Sequence, residues 1–377
     1  MGTLKIMGYA PVEYELATKK GILYAPKLGW YLDARTPVHE AFVSHAHADH
    51  FSYHHTIHCS RETAVLLRAL GLKKSKIHPY KFDKRYEKNN ISFTLLPAGH
   101  IFGSAQLLIE NPAQTVLYAG DVRLSGSRTC PPAKTLPADL LIIEGTYSDP
   151  RYEHLSVKTA EEKAIEFVKT CKKREQFPVF VCMSRVGKAQ DLILTLAEQG
   201  FKGSLQWSIF QVTEACRKAG LTLPSTLLWK VDQPFIGDYL LITAGLLRHK
   251  GHFFLQDSAG SSSLAFVSGW AIDRQGEFDE YITWSDHADF QELMRFVEKV
   301  NPSEIWTFAD NNYFVKKLRV RGYNAHHFSE IKSENMKEFE TLNETYLPVN
   351  ISNKGKPVTG TKGKIKNKKQ RSLDEWL

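Results

Sequence analysis

A short apolar strand that runs directly into a cluster of histidines and an aspartate constrains this chain more than any other feature. The segment Phe42–Ser44 leads into the sequence His-Ala-His-Ala-Asp-His. Side chains two residues apart in an extended segment point to one side, so His45 and His47 share a face, and the turn that follows brings Asp49 and His50 towards them. Mixed imidazole and carboxylate ligands suit zinc best, with manganese and iron as competitors. The segment therefore predicts a metal site.

The alternative interpretation is a polar surface loop that is rich in histidine by chance. Three further histidines follow closely, namely His54, His55 and His58. We expect these three to be surface residues or supports for the ligands rather than ligands themselves.

Three more candidate residues follow predicted strands elsewhere in the chain. Asp33 follows Tyr31-Leu32, His100 follows Leu95–Gly99, and Asp121 follows Val116–Gly120. Each residue alone is typical of an ordinary turn. As an ordered set, each after a strand, they indicate one site built from several strand ends.

The H-x-H-x-D-H pattern followed in order by His100 and Asp121, with Asp33 before it, resembles the metallo-β-lactamase fold family. The resemblance implies an α/β protein, an αββα sandwich. In the same region Gln106–Glu110 and Thr115–Tyr118 indicate a hairpin that delivers Asp121 to the rim, and the apolar run Leu140–Ile143 predicts a strand buried on both faces.

From about Lys158 the pattern changes to alternating helices and strands, which is typical of α/β folds. Thr159 with Glu162 predicts a capping box that opens a helix through about Lys173, and residues 178–183 and 187–199 predict a strand and a second helix. The turn between them, Ser184–Lys188, either binds an anion at a helix start or is an ordinary β-α loop.

The block from Glu144 to the sequence Ser-Asp-His-Ala-Asp around His287 is similar to β-CASP nucleases, relatives of Artemis and of mRNA 3′-end processing endonucleases. Together with Lys20-Gly21 and Ser268–Trp270, it resembles most the ligase-associated DNA exonucleases. The resemblance implies a metallo-β-lactamase core in residues 1–150, an inserted β-CASP cap in 151–270 and a return to the core in 271–345.

The resemblance also implies roles for the site residues. One metal is expected on His45, His47 and His100 and a second on Asp49, His50 and His287, with Asp121 bridging the two metals. A hydroxide shared by the metals would then be expected to attack phosphorus in line, with Asp49, Glu144 and His287 as catalytic residues. Asp33 is expected to support a ligand, and Ser184, Arg185 and Lys188 to hold the substrate backbone.

One departure from the family bears on the substrate. After Asn301–Phe308, RNA-directed members carry histidine-glycine, whereas this chain has Ala309-Asp310. The resemblance therefore predicts a DNA exonuclease acting on single strands or ends. The alternatives are a ribonuclease, an inactive nucleic-acid-binding subunit and, least favoured, a small-molecule hydrolase.

The basic charge of the chain is concentrated at its end. The net charge is +8, and residues 349–377 hold eight Lys and Arg against Asp374 and Glu375. We expect residues 346–377 to be a disordered tail, either merely solvated or attracted to a polyanion. Its last residues, 370–377, resemble a peptide that binds PCNA-type sliding clamps. Its anchors are Gln370, Leu373, Trp376 and Leu377.

Nothing in the sequence predicts secretion or membrane insertion. No signal peptide or membrane span is evident, and the five cysteines form no C-x-x-C pair, which fits a reducing cytosol. We expect a cytoplasmic, nucleoid-associated protein, or a nuclear one in a eukaryote. A DNA ligase or helicase is expected as a partner or as a neighbour in the same pathway.

Overall fold

The computed structural model describes residues 17–19, 22–152, 156–231, 233–250, 261–309 and 312–330. The predictions for Lys20-Gly21, Asp310, the basic tail and the clamp-binding peptide lie outside the described residues. Within those ranges, none of the helices combines the length and the apolar character that crossing a membrane requires.

Two sheets pack face to face and form the centre of the fold. The strands of the first sheet, in spatial order, are β1 (Ala17–Lys19), β2 (Ile22–Ala25), β3 (Trp30–Leu32), β4 (Glu40–Phe42), β5 (Thr56–Ser60) and β6 (Lys76–Tyr80). The second sheet contains β7 (Arg85–Lys88), β8 (Ile91–Pro97), β9 (Ala105–Glu110), β10 (Thr115–Gly120), β11 (Leu140–Glu144), β18 (Glu304–Phe308) and β19 (Ala325–His327), in the spatial order β19-β18-β11-β10-β9-β8-β7.

Apolar side chains of both sheets fill the space between them. Trp30 and Phe42 of the first sheet share this cluster with Phe93, Leu107 and Leu140 of the second. The outer face of the second sheet packs against two helices, α6 (Phe290–Val300) and α7 (Tyr313–Val320). The outer face of the first sheet packs against α1 (Arg61–Ala69). The layers are helix, sheet, sheet and helix, so the predicted αββα sandwich is confirmed.

A third sheet, entirely parallel, forms the inserted cap. Its strands are β12 (Phe177–Cys182), β13 (Gly203–Gln206), β14 (Leu227–Trp229), β15 (Tyr239–Thr243), β16 (Ser262–Ser268) and β17 (Glu280–Thr283), in the spatial order β14-β13-β15-β12-β16-β17. The cap helices are α2 (Val157–Lys173), α3 (Lys188–Ala197), α4 (Trp207–Lys218) and α5 (Ala244–Lys250). Because β17 pairs with β16, the cap sheet extends past the predicted boundary at residue 270.

The predicted hairpin and buried strand agree with the structure, whereas the predicted start of α2 does not. The predicted hairpin is present, with Glu110 opposite Thr115, and β11 is buried throughout. The capping box predicted at Thr159 and Glu162 is wrong, because α2 begins earlier. The Ser156 hydroxyl caps the helix by accepting a hydrogen bond of 3.1 Å from the Thr159 amide.

Candidate metal centre

The predicted site residues lie at the carboxyl ends of strands that are parallel to their neighbours within each sheet. Asp33 follows β3, and the His45 segment follows the parallel strand β4. Asp121 follows β10 and Glu144 ends β11, which is parallel to it. Parallel strands deliver their carboxyl ends to one edge, so residues far apart in sequence meet there.

Four acceptor atoms converge on one point in the core. Each atom comes from a different buried or nearly buried residue: His45, His47, His100 and Asp121. Asp121 Oδ2 lies 3.7 Å from both His45 Nε2 and His100 Nε2. His47 Nδ1 lies 3.0 Å from His100 Nε2. The nitrogen that each imidazole turns towards the centre is thereby defined.

The other nitrogen of each of these three rings has a partner of its own. His45 Nδ1 lies 2.8 Å from Ser44 Oγ. His47 Nε2 lies 3.2 Å from the Val186 carbonyl oxygen, and His100 Nδ1 lies 3.0 Å from the Asp286 carbonyl oxygen. Partners of this kind fix the tautomer and orientation of a metal-binding imidazole.

Two further histidines, His50 and His287, also approach Asp121. His50 Nε2 is 3.2 Å from Asp121 Oδ2, and His50 Nδ1 is 2.9 Å from Asp33 Oδ2. His287 Nδ1 is 3.8 Å from Asp121 Oδ2 and 2.7 Å from Glu144 Oε2. Asp49 is more peripheral: its side chain is 61% exposed, and its Oδ2 lies 3.8 Å from His50 Nε2.

Asp33 and Glu144 are fully engaged as supports. Asp33 accepts hydrogen bonds from the Ser44 amide, the Ser44 hydroxyl and the Tyr118 hydroxyl, at 2.7, 2.6 and 2.8 Å. Glu144 is fully buried, and its Oε1 accepts from the Val122 amide at 2.8 Å. The sequence left open whether Glu144 orients His287 or protonates a leaving group, and this geometry favours orientation because both of its oxygens are occupied.

Burial and neighbouring charges divide the imidazoles into two electrostatic classes. Burial and adjacent imidazoles hold the pKa of His45 and of His100 well below the usual range, so both rings are neutral, as metal binding requires. Burial also opposes the charge on His287, but Glu144 and Asp121 outweigh it and raise its pKa to about 9. Burial raises the pKa of Asp121, yet His50 and His287 hold it well below its usual range.

The three predicted substrate contacts have different environments. Arg185 is exposed and Ser184 is half-buried. The Lys188 side chain is only 9% exposed, and its ammonium forms an ion pair with Asp286, whose side chain is 2% exposed. Lys188 is therefore not available to hold a substrate backbone, and that prediction is corrected: the lysine neutralises a buried carboxylate instead.

Two more predictions are located by the structure. Ala309 has a left-handed backbone, with φ of 59°, directly after β18. It lies at the rim, because the preceding Phe308 is paired with Glu144. His55 is exposed, whereas His54 and His58 are buried. As expected, none of the three belongs to the groups of metal-binding atoms among the described residues.

Sequence reasoning missed several residues that hold the site together. Ser44 and Tyr118 carry no motif signal of their own, and Val186 acts only through its backbone. Asp286 belongs to the Ser-Asp-His-Ala-Asp motif, but no role was predicted for it. Trp207 was missed as well, because the sequence around it predicted no element and no site. Its side chain is 57% exposed.

The residues present fit a divalent metal ion. His45 Nε2 is buried and has no hydrogen-bond partner within the described part of the chain, although it points at Asp121. An orphaned buried nitrogen is costly unless something binds it. Three neutral imidazoles and a carboxylate form a ligand set that zinc and related ions accept.

Comparison with known proteins agrees with this description. Residues 25–179 match the family model described as "Beta-lactamase superfamily domain". A "Probable DNA ligase" of Opitutus terrae is 34% identical over 80% of this chain and 30% of its own length. An "RNase J-like protein" of Methanocaldococcus jannaschii is 32% identical over 45% of this chain and 46% of its own.

A third relative is the "DNA cross-link repair protein SNM1" of Arabidopsis thaliana, 35% identical over 30% of this chain and 25% of its own. The chain thus spans less than half the length of each of these three relatives. The shared fold implies divalent metal ions, for which the described cluster is suited. The chain belongs to the metallo-β-lactamase superfamily, in its β-CASP family of nucleases.

Proposed function

We propose that this chain is a zinc-dependent DNA nuclease that hydrolyses phosphodiesters at single strands or DNA ends. The observation that carries the proposal is the convergence on Asp121. Its Oδ2 lies 3.2 to 3.8 Å from a nitrogen of each of four histidines. These four are His45, His50, His100 and His287.

The ligand sets are those that the family resemblance implies, and the grouping of His45, His47, His100 and Asp121 supports the first of them. His45, His47 and His100 would hold one ion, and His50, His287 and Asp49 a second, with Asp121 shared. Divalent ions there would supply Lewis acidity, which neutralises charge on the phosphate and makes water a better nucleophile near neutral pH. Manganese is the alternative metal.

Around these ligands, other side chains of the protein orient the imidazole rings and accept their ring protons. Glu144 fixes the His287 ring through Nδ1 at 2.7 Å. Asp33 does the same for His50 at 2.9 Å, and Tyr118 and Ser44 keep the Asp33 carboxylate in place. Each support is itself hydrogen-bonded, so the ligand geometry is organised before substrate arrives.

The carboxyl edge of the cap sheet is the proposed substrate surface. The chain leaves β12 towards β13 on one side, and leaves β15 towards β16 on the other, so the adjacent ends of β12 and β15 form a topological switch point. Ligands of open α/β sheets bind at such points. Ser184 and Arg185 follow β12 there, and Arg185 is exposed for a phosphate contact.

Trp207 extends this surface by one strand. It follows β13, the neighbour of β15, and the Gln206 side chain accepts a hydrogen bond of 2.8 Å from the Thr243 amide at the end of β15. An exposed indole at the same sheet edge as an exposed arginine matches what unpaired nucleic-acid bases require, because every base has a face that stacks. Single strands are therefore favoured over duplex interiors.

The choice of DNA over RNA rests on two observations. Ala309 occupies the rim position at which RNA-directed members of the family carry histidine. Two of the three relatives described above are named for DNA ligation or DNA repair. The relative named "RNase J-like protein" favours ribonuclease activity as the second candidate. A DNA ligase acting in the same pathway, a helicase and a PCNA-type clamp remain predicted partners.

Digestion of matched end-labelled single-stranded DNA and RNA, with zinc or manganese added, tests the proposal. The expected result is that DNA shortens from one end, RNA survives and Asp49→Ala is inert. Asp83→Ala, which removes a half-exposed carboxylate distant in sequence from the motifs, serves as the matched control and should keep wild-type activity. Faster cleavage of RNA would identify RNA instead of DNA as the substrate. Absence of cleavage despite bound metal would favour the inactive binding subunit.

A further inference from the structure

Three residues of the cap, Val186, Gly187 and Lys188, contact the metal centre from outside the core. We call this segment the cap loop. It connects β12 to α3, and all three residues are buried. None of the three belongs to the proposed ligand set, and the substrate role predicted for Lys188 is excluded by its burial. Their contacts therefore need another explanation.

The first contact is made by the backbone. The Val186 carbonyl oxygen lies 3.2 Å from His47 Nε2. His47 turns its Nδ1 to the centre, so its Nε2 is the nitrogen that carries the proton and donates to this carbonyl. The cap loop thus selects the tautomer of His47 that leaves Nδ1 free to bind a metal.

The second contact reaches His100 through Asp286. The Lys188 ammonium pairs with the Asp286 carboxylate, and the Asp286 carbonyl oxygen accepts from His100 Nδ1 at 3.0 Å. The other carboxylate oxygen, Asp286 Oδ1, has no hydrogen-bond partner among the described residues. Lys188 is therefore the cation that makes burial of this carboxylate tolerable, because a lone buried charge is strongly unfavourable.

The space around Gly187 is too small for a larger residue. Gly187 has φ of +102°, and a Cβ at this position would lie 2.8 Å from an Ile101 methyl and 2.9 Å from Asp286 Oδ2. Ile101 is the residue after His100. The cap loop therefore packs directly against both segments that orient His100.

From these contacts we infer that the cap loop is a positioning element of the metal centre. Through the Val186 carbonyl and the Lys188–Asp286 ion pair it sets the orientation of His47 and His100, two of the three histidines proposed to hold the first metal. The cap would then be required for metal binding itself, in addition to any contact with substrate. The inference rests on the proposed metal centre and is independent of the substrate.

The test is a titration of the metal-free full-length chain with Zn²⁺ against a competing chelator. Lys188→Met removes the cation and keeps much of its length. We expect one of the two zinc equivalents to bind about 10- to 100-fold more weakly, as loss of an outer partner of a metal ligand typically costs. In the Co²⁺-loaded variant, the visible d–d absorption should also change in position or intensity, because the ligand rotates.

Three further variants separate positioning from a loss of folding. Lys172→Met breaks a lysine–aspartate pair inside the cap, with Asp238, and should leave zinc affinity unchanged. Arg128→Met breaks ion pairs that join the core to Glu161 of α2 and to Glu198, without touching a histidine, and should lower thermal stability only. Lys188→Arg retains the charge and should restore much of the affinity.

Two results would overturn the inference. One is a folded Lys188→Met variant with both zinc affinities and the cobalt spectrum of the wild type. The other is an equal loss of zinc in Arg128→Met, which would indicate that any weakening of the cap's attachment has the same effect. If the wild type itself binds no zinc, the proposed metal centre fails before the cap loop is tested.

Discussion

Two pairs of histidines in the metal centre are held in different ways. His45 and His50 have their partners in the core: Ser44 is the residue next to His45, and Asp33 follows the neighbouring strand. His47 and His100 have theirs in Val186 and Asp286, which are 139 and 186 residues away in sequence. The supports of the first pair come from the first sheet alone, whereas those of the second pair are in place only when the cap has folded. The centre therefore couples the folding of both parts.

Asp121→Asn should have the largest effect, because Asp121 belongs to both of the proposed ligand sets. The change keeps the shape of the side chain and removes the charge shared by four histidines. We expect metal affinity and cleavage to fall by more than the ~100-fold that loss of a supporting partner costs. Metal content after dialysis and the rate of DNA cleavage measure this. A variant that retains both metals would show that the Asp121 carboxylate is not needed to bind them.

Asp33→Ala tests only the histidines whose partners lie in the core. It removes the partner of His50 and leaves the buried Tyr118 hydroxyl without this acceptor. We expect zinc affinity to fall about 10- to 100-fold and the free energy of unfolding to fall by roughly 1–3 kcal/mol. The control is Tyr118→Phe, which removes the hydroxyl and leaves His50 supported. Equal zinc loss in both variants would contradict the role given to Asp33.

Trp207→Ala tests the cap edge without touching the centre. Loss of one stacked base typically costs 1–3 kcal/mol, so affinity for a single-stranded oligonucleotide should fall roughly 5- to 150-fold at unchanged zinc content. Fluorescence anisotropy of a labelled strand measures the affinity. Val320→Ala, at an 85% exposed apolar position at the end of α7, is the matched control. An unchanged affinity in Trp207→Ala would move the substrate path away from β13.

Asp191→Asn should have the smallest effect, and it concerns pH. Burial raises the pKa of Asp191 to about 7 from its ordinary value of 3.8, and the nearby Asp286 contributes. The folded state then holds a proton that the unfolded chain releases, so this group's contribution to stability falls as pH rises from about 4 to about 7. The difference in free energy of unfolding between Asp191→Asn and wild type, measured with denaturant, should therefore be more favourable to the variant at pH 8 than at pH 5. A constant difference between the two would contradict the raised pKa.

The fold and the family could be predicted because their signals are local. A strand that ends in His-Ala-His-Ala-Asp-His places its side chains by the two-residue period of extended backbone, whatever surrounds it. The hairpin before Asp121 and the buried strand β11 were identified for the same reason. The start of α2 was placed wrongly because Ser156 and Thr159 both suit a cap, and sequence alone does not decide between them.

The sequence by itself determined the residue types of the candidate ligands, their order along the chain and the fold that carries them. Only the tertiary structure decided which group forms a hydrogen bond with each candidate ligand. It also changed the role of Lys188, which the sequence predicted to be a substrate contact in a basic turn. The physical reason is that a lysine's role depends on the charge it meets. Asp286 lies 98 residues away from Lys188, and the two meet only after the cap packs against the core.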